Sequence, residues 1–143
     1  MNVRRSPALS HASVLIVDDE ADNRELLRII LNWAGFATKT ATGGEEALLS
    51  VAADPPDLIL IDLMMPGLDG YQLTARLKQN PETRAIPLIM LSAMNDSATR
   101  ARALSTGADA YISKPFDRSE LCEQVCGVLG VSPSPPESGR ARR

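Results

Sequence analysis

The chain has 143 residues, 44% of them hydrophobic and 23% charged, which suits one compact domain with an ordinary core. No run approaches the roughly 18 apolar residues of a membrane span, and the start, Met1-Asn2-Val3-Arg4-Arg5-Ser6-Pro7, lacks the apolar stretch of a signal peptide, so a cytoplasmic location and no membrane partner are expected. The net charge of −3 is uneven: residues 13 to 130 carry ten Lys and Arg against seventeen Asp and Glu, or −7, while each end carries +2, and an acidic domain argues against nucleic acid as the main partner.

Residues 1–12 show no periodicity and residues 131–143 are rich in Pro, Ser and Arg, so both read as flexible arms around one domain at 13–130. Ser13 to Val17 predicts a first strand. The helix after it has an apolar stripe of Leu26, Leu27, Ile30, Leu31 and Ala34, with Gly35 as its stop. Phe36 to Thr40 reads as a short second strand. A second helix at Gly44 to Ala53 turns Ala47, Leu48 and Val51 inward and ends at Asp54-Pro55-Pro56. Leu58 to Ile61 is the third strand, and the helix from Gly70 to Gln79 buries Leu73 and Leu77. Pro87 to Leu91 is the fourth strand, with a helix from Ser97 to Thr106 stopped by Gly107. Ala110 to Ser113 is the fifth, followed by a helix at Ser119 to Leu129 with Leu121, Val125, Val128 and Leu129 on one stripe. Cys122 and Cys126, four apart on that helix, read as reduced thiols. Five strand-helix repeats with short connections predict an α/β, doubly wound domain: a five-stranded parallel sheet covered on both faces by five helices.

Such sheets keep their ligand sites at the carboxyl edge of the strands. Strands one, three, four and five deliver Asp18-Asp19, Asp62, Ser92 and Lys114 to that edge, while the second contributes no comparable group. Each is weak alone. An Asp-Asp pair after a strand is commonly a solvated turn or helix cap, Ser92 could cap the following helix, a Lys before Pro suits a surface loop, and Tyr111 could be a packing residue with its hydroxyl in water. Converged, the carboxylates suit a hard divalent cation, the hydroxyl a hydrogen bond, and the ammonium an anion, which together describe an oxyanion site beside Mg²⁺.

The chain resembles the response-regulator receiver domains of two-component signalling. The resemblance lies in Val14-Leu15-Ile16-Val17-Asp18-Asp19-Glu20, in Asp57-Leu58-Ile59-Leu60-Ile61-Asp62-Leu63-Met64-Met65-Pro66-Gly67-Leu68-Asp69-Gly70, in Ile89-Met90-Leu91-Ser92-Ala93, and in Gly107-Ala108-Asp109-Ala110-Tyr111-Ile112-Ser113-Lys114-Pro115-Phe116. It covers about Ser13 to Leu129 and implies a flavodoxin-like sheet of strand order 2-1-3-4-5. It further implies that Asp62 accepts a phosphoryl group from phosphohistidine on a sensor histidine kinase or histidine phosphotransfer protein. Asp19 is then a direct ligand of Mg²⁺, with Asp18 acting nearby and the Met64 carbonyl as a further ligand. Lys114 and Ser92 bind phosphoryl oxygens. Ser92 and Tyr111 form the switch, Met64 and Met94 flank the acyl phosphate, and Pro115 follows a cis peptide bond.

On this reading the protein is a phosphoacceptor rather than an enzyme, catalysing only its own phosphotransfer and dephosphorylation. Its output is expected on the fourth helix, fifth strand and fifth helix, where Arg100, Arg102 and Arg118 would meet an acidic partner, and dimerisation stays open. His11, the only histidine, lies in the leading arm, so the phosphodonor is expected in another protein; the short tail after Leu129 suggests a stand-alone regulator. Two rivals differ in their signatures. A haloacid-dehalogenase-type phosphohydrolase needs an aspartate two positions after its nucleophile, where Met64 stands, and a non-phosphorylated binding module typically loses an acidic or lysine position that this chain retains.

Overall fold

The structure is a computed structural model and describes residues 12–131. The elements, in chain order, are β1 (Ser13–Val17), α1 (Ala21–Trp33), β2 (Ala37–Ala41), α2 (Gly44–Ala53), β3 (Leu58–Asp62), α3 (Gly70–Gln79), β4 (Leu88–Ser92), α4 (Ser97–Thr106), β5 (Ala110–Ser113) and α5 (Arg118–Leu129). The strands form one parallel sheet in the order β2-β1-β3-β4-β5. The chain reverses its direction of progress between β2 and β3, so the crevice beside β1 and β3 is the topological switch point of the sheet, where ligands bind in this architecture.

The apolar runs of β1, β3 and β4 need cover on both faces, and side-chain alternation divides them into two cores. Val14, Ile16, Leu58, Leu60, Ile89, Leu91 and Ile112 pack against Leu27 and Leu31 of α1 and Leu121, Val125 and Cys126 of α5. Leu15, Val17, Ile59, Ile61 and Leu88 pack against Ala47 and Val51 of α2 and Leu73 and Leu77 of α3. A smaller cluster of Leu63, Met90, Ala103, Ala108 and Tyr111 lies beneath α4. The edge strand β2, Ala-Thr-Lys-Thr-Ala, is mostly polar and exposed, which suits a strand with one free side.

Two glycines stand at close approaches, one at each edge of the sheet. A Cβ on Gly70 would lie 2.7 Å from the Leu63 Cα, so only glycine lets α3 begin against the loop that follows Asp62. Gly107 has φ +130°, and a Cβ there would lie 2.8 Å from Cγ of Lys78, whose ammonium donates to the carbonyls of Arg84 and Ile86. Asp109, two residues on, accepts from the Leu88 amide, which ties the α4–β5 turn to the start of β4.

The structure moves several expected boundaries. β2 begins at Ala37 rather than Phe36, and Phe36 is buried in the core just before it. Ser92 is the last residue of β4 and Asp62 the last of β3, so both are held by sheet pairing rather than standing beyond it. α5 begins at Arg118, capped by Asp117, and it buries Cys126 more deeply than Val128 and Leu129. Leu26 is a correction: it was expected inward but is 51% exposed, because the buried stripe of α1 runs through Leu27 and Leu31, one residue round the helix. Both thiols are free. Ala12 is buried, its carbonyl accepting from Ala37, and the Val131 amide donates to Cys126, so both described ends join the fold. The remainder of the two arms, with His11, Arg140, Arg142 and Arg143, lies outside the described residues.

Candidate functional site

β1 and β3 are adjacent, with Val17 opposite Ile61, so Asp18 and Asp62 leave neighbouring strands at the same level. One carboxylate oxygen each from Asp18, Asp19 and Asp62 lies within 4.8 Å of the other two. Unit charges at such distances repel by about 3–4 kcal/mol per pair at an effective dielectric near 20, so the cluster calls for a cation or a proton. Asp18 and Asp62 are buried, and Asp19 faces solvent.

Lys114, at the end of β5, supplies one positive charge. Its Nζ lies 3.4 Å from Oδ1 of Asp62 and 3.8 Å from Oδ2 of Asp18, and its amide donates to the Ser92 carbonyl. The peptide bond from Lys114 to Pro115 is cis, as the resemblance implied. One ammonium does not offset two buried carboxylates. Burial pushes Asp62 up from 3.8 to about 6, against the lowering pull of Lys114 and of the Met64 amide and with a further push from Asp18. Burial likewise raises Asp18, although it accepts from the Glu20 amide and feels Lys114. Proton affinity of this kind marks a site shaped for something other than its own ionised carboxylates.

Asp18 shows where a cation fits. Its amide donates to Ala41, its carbonyl accepts from Nη1 of Arg24 at 2.8 Å, and its Oδ1 accepts from the Glu20 amide at 2.9 Å. Its Oδ2, fully buried, has no hydrogen-bond partner. An anionic oxygen that accepts no hydrogen bond, with the Lys114 ammonium 3.8 Å away and two further carboxylates beside it, suits a hard, oxygen-seeking divalent cation.

A family model of the response regulator receiver domain matches residues 14–126. The chain belongs to that family. Receiver domains of this family are phosphoacceptor signalling modules. The chain is 41% identical, over 116 residues, to the phosphate regulon transcriptional regulatory protein PhoB of Rhizobium meliloti; the match covers 81% of this chain and 51% of that protein. The chain thus spans about half the length of the curated relatives it matches, and the expectation of a stand-alone regulator draws no support from them. Among solved structures it resembles the signal receiver domain of a signal transduction histidine kinase from Syntrophus aciditrophicus, with 37% identity and a TM-score of 0.78 over 83% of this chain and 90% of that one. It also resembles the receiver domain of sensor histidine kinase PA1611 from Pseudomonas aeruginosa, with 29% identity and a TM-score of 0.78, covering 84% and 98%; that structure has a magnesium ion coordinated in its active-site cleft.

The remaining expected residues of this receiver domain surround the same edge. Ser92 is completely buried, and its Oγ accepts from the Met94 amide at 3.1 Å, which leaves its own proton free to donate. It does not cap α4; Asp96 does, accepting from the Thr99 amide. Tyr111 is buried and its hydroxyl donates to the Met94 carbonyl, so the alternative of a hydroxyl in water does not hold. Both side chains expected to form the switch are thus hydrogen-bonded to one loop residue, Met94. The Met64 side chain is 62% exposed beside the site, and Met94 is also exposed.

Two residues here, Arg24 and Tyr71, were not singled out from the sequence as parts of the site. Arg24 reaches back from α1 to the Asp18 carbonyl. Tyr71 of α3 receives the Arg102 guanidinium over its ring at 3.9 Å, as Tyr111 receives Arg100 at 5.2 Å. The available signal for Arg24 was a cation near the positive end of a helix, where acidic side chains are favoured. Nothing in the sequence paired Tyr71 with Arg102, because the contact joins two helices. Of the three arginines expected on the output face, Arg102 instead leans toward α3.

No helix among the described residues is long and apolar enough to cross a membrane.

Proposed function

We propose that this receiver domain accepts a phosphoryl group on Asp62 and signals through a phosphorylation-dependent change of its α4–β5–α5 face. The observation that carries the reading is the convergence of Asp62 with Asp18, Asp19, Lys114 and Ser92 at one sheet edge, with an oxygen of Asp18 that accepts no hydrogen bond. In the reaction the Asp62 carboxylate attacks phosphorus, the bond from phosphorus to the donor imidazole nitrogen breaks, and an acyl phosphate forms while the imidazole keeps the departing electron pair. Lys114 pairs with one phosphoryl oxygen and the Ser92 hydroxyl donates to another. Asp18, Asp19, Asp62 and the Met64 carbonyl would hold Mg²⁺, which when bound supplies charge neutralisation for a loose, strongly anionic transition state.

The donor is a sensor histidine kinase or histidine phosphotransfer protein. A cleft of about 240 Å³ supports a docking place for it. Its lining is Asn23, Leu26, Leu27, Lys114, Pro115 and Phe116, so it opens beside the acceptor. The exposed Leu26, Ile29 and Trp33 on α1 continue it as an apolar stripe at helical spacing, suited to the face of a partner helix.

The output follows from charge. Phosphorylation adds nearly two negative charges at Asp62 and draws the Ser92 hydroxyl toward them; through Met94 that pull reaches Tyr111 and Arg100. Shifting a two-state equilibrium from 1:99 to 99:1 takes about 5.5 kcal/mol of differential stabilisation, within reach of a few charge-assisted hydrogen bonds. The basic side chains Arg100 and Arg118 fit an acidic output partner.

The test is phosphorylation by acetyl phosphate with Mg²⁺, read by intact mass. The expected result is a labile gain of one phosphoryl group that is lost in Asp62→Asn. Labelling that survives the substitution places the acceptor elsewhere. Steady turnover without label would favour a phosphohydrolase, and no label at all a binding module without the chemistry.

A further inference from the structure

We propose that Arg24 is a positioning residue for the divalent-cation site, holding the Asp18–Asp19 peptide so that both carboxylates point at the cation. The inference deepens the metal reading above and rests on it. Arg24 lies in α1, and its own amide makes the first hydrogen bond of that helix, to the Glu20 carbonyl. Its side chain does not follow the helix outward. It folds back across the helix start, and Nη1 donates to the carbonyl of Asp18, six residues earlier and outside α1. That carbonyl belongs to the peptide joining Asp18 to Asp19, so fixing its plane sets the direction in which both side chains leave the backbone. The Asp18 amide is tied to Ala41 on β2 and Oδ1 to the Glu20 amide. Arg24 completes the set: three polar atoms of Asp18 are hydrogen-bonded by protein, and Oδ2 accepts no hydrogen bond and meets only the Lys114 ammonium, 3.8 Å away.

Glu46 of α2, which accepts from the amide and hydroxyl of Thr42, lies within electrostatic reach of Arg24. Arginine suits the positioning task better than lysine would, since its planar fork fixes the direction of the donated hydrogen bond.

The charge of Arg24 gives the inference an unusual test, because charge and position predict opposite signs. A cation beside a divalent-cation site repels the incoming ion, so if Arg24 acted only through its charge, removing it would tighten Mg²⁺ binding. If it positions the loop, removing it weakens binding, and loss of partners that orient metal ligands typically costs tenfold or more.

The experiment measures Mg²⁺ affinity by calorimetry, and Mn²⁺ affinity by electron paramagnetic resonance, for the wild type, Arg24→Ala, Arg24→Lys and Asp19→Ala, with circular dichroism in EDTA to establish that each is folded. The expected result is a Kd raised about tenfold in Arg24→Ala and by a smaller factor in Arg24→Lys, which keeps the charge but loses the fork. The Mg²⁺ concentration giving half-maximal labelling by acetyl phosphate should rise in parallel, a shift that general loosening of the fold would not produce. An unchanged or lowered Kd in folded Arg24→Ala overturns the inference. If Arg24→Ala does not fold, Arg24→Lys decides: a raised Kd supports positioning and an unchanged one overturns it. Failure of the metal reading itself looks different, since the wild type would then bind neither ion or Asp19→Ala would bind as well as the wild type, and the inference would fall with it.

Discussion

Asp62 is less comfortable ionised in the fold than in the unfolded chain. Its folded pKa, about 6, lies above its ordinary 3.8 because burial outweighs the help of Lys114. The metal-free folded state therefore holds the proton more tightly, so stability falls as pH rises from about 4 to about 6 and the full penalty is present above that window. Each pKa unit corresponds to about 1.4 kcal/mol, so Asp62→Asn in EDTA at neutral pH is expected to raise the unfolding free energy by about 1–3 kcal/mol and to flatten the pH dependence. Urea denaturation checks both, and a variant no more stable than the wild type would count against the buried-charge account. Gly70 predicts the opposite. Its missing Cβ leaves room for Leu63, so Gly70→Ala should destabilise by about 1–3 kcal/mol and slow labelling of Asp62, because the obstacle is backbone that cannot rotate away. Equal labelling rates would show that the loop tolerates the shift.

α4 is anchored differently from the other helices. It buries only Thr99 and Ala103, whereas α1 and α3 bury leucines on the core side. Much of its hold comes from its edges: the Asp96 cap, Arg100 over Tyr111 and Arg102 over Tyr71, each stack being worth about 0.5–1 kcal/mol. A helix with so small an apolar footprint can move without breaking a core, as the proposed output face would require. Tyr111→Phe removes the bond to the Met94 carbonyl. Amide exchange in α4 and the loop before it should then quicken by about three- to tenfold, the equivalent of one hydrogen bond. Tyr71→Leu should quicken α4 in the same way while leaving the loop at Met94 less affected. Uniform exchange changes across all five helices would mean that the tyrosines stabilise the whole domain rather than seat α4.

At the scale of the whole molecule, cation binding at the β1–β3 crevice should stabilise the fold because it relieves the repulsion among three carboxylates that folding brings together. At a hundred times Kd the gain is about 2.7 kcal/mol, enough to raise the melting temperature by several degrees. Scanning calorimetry with and without Mg²⁺ tests this, and Asp19→Ala should show little of the gain. An identical rise in that variant would point to general salt stabilisation.

Much of this architecture was legible in the amino acids. The buried runs at Val14–Val17 and Leu58–Ile61, the helix stops at Gly35 and Gly107, and the acidic and basic residues at strand ends made a parallel sheet with one reactive edge readable, because period and punctuation are local properties. The order β2-β1-β3-β4-β5 came from the resemblance, since no local signal says which strand neighbours which. Other features depended on tertiary structure alone. Leu26 and Leu27 are alike as sequence, and only the packing of α1 decided which faces water and which enters the core. The hydroxyl of Tyr111 found the Met94 carbonyl, Arg24 found the Asp18 carbonyl, and Arg102 found Tyr71 across separate elements. The proton affinity of Asp62 belongs to the same class, because it depends on how much water the fold removes and which charges it brings close, and both follow from the three-dimensional arrangement of distant segments.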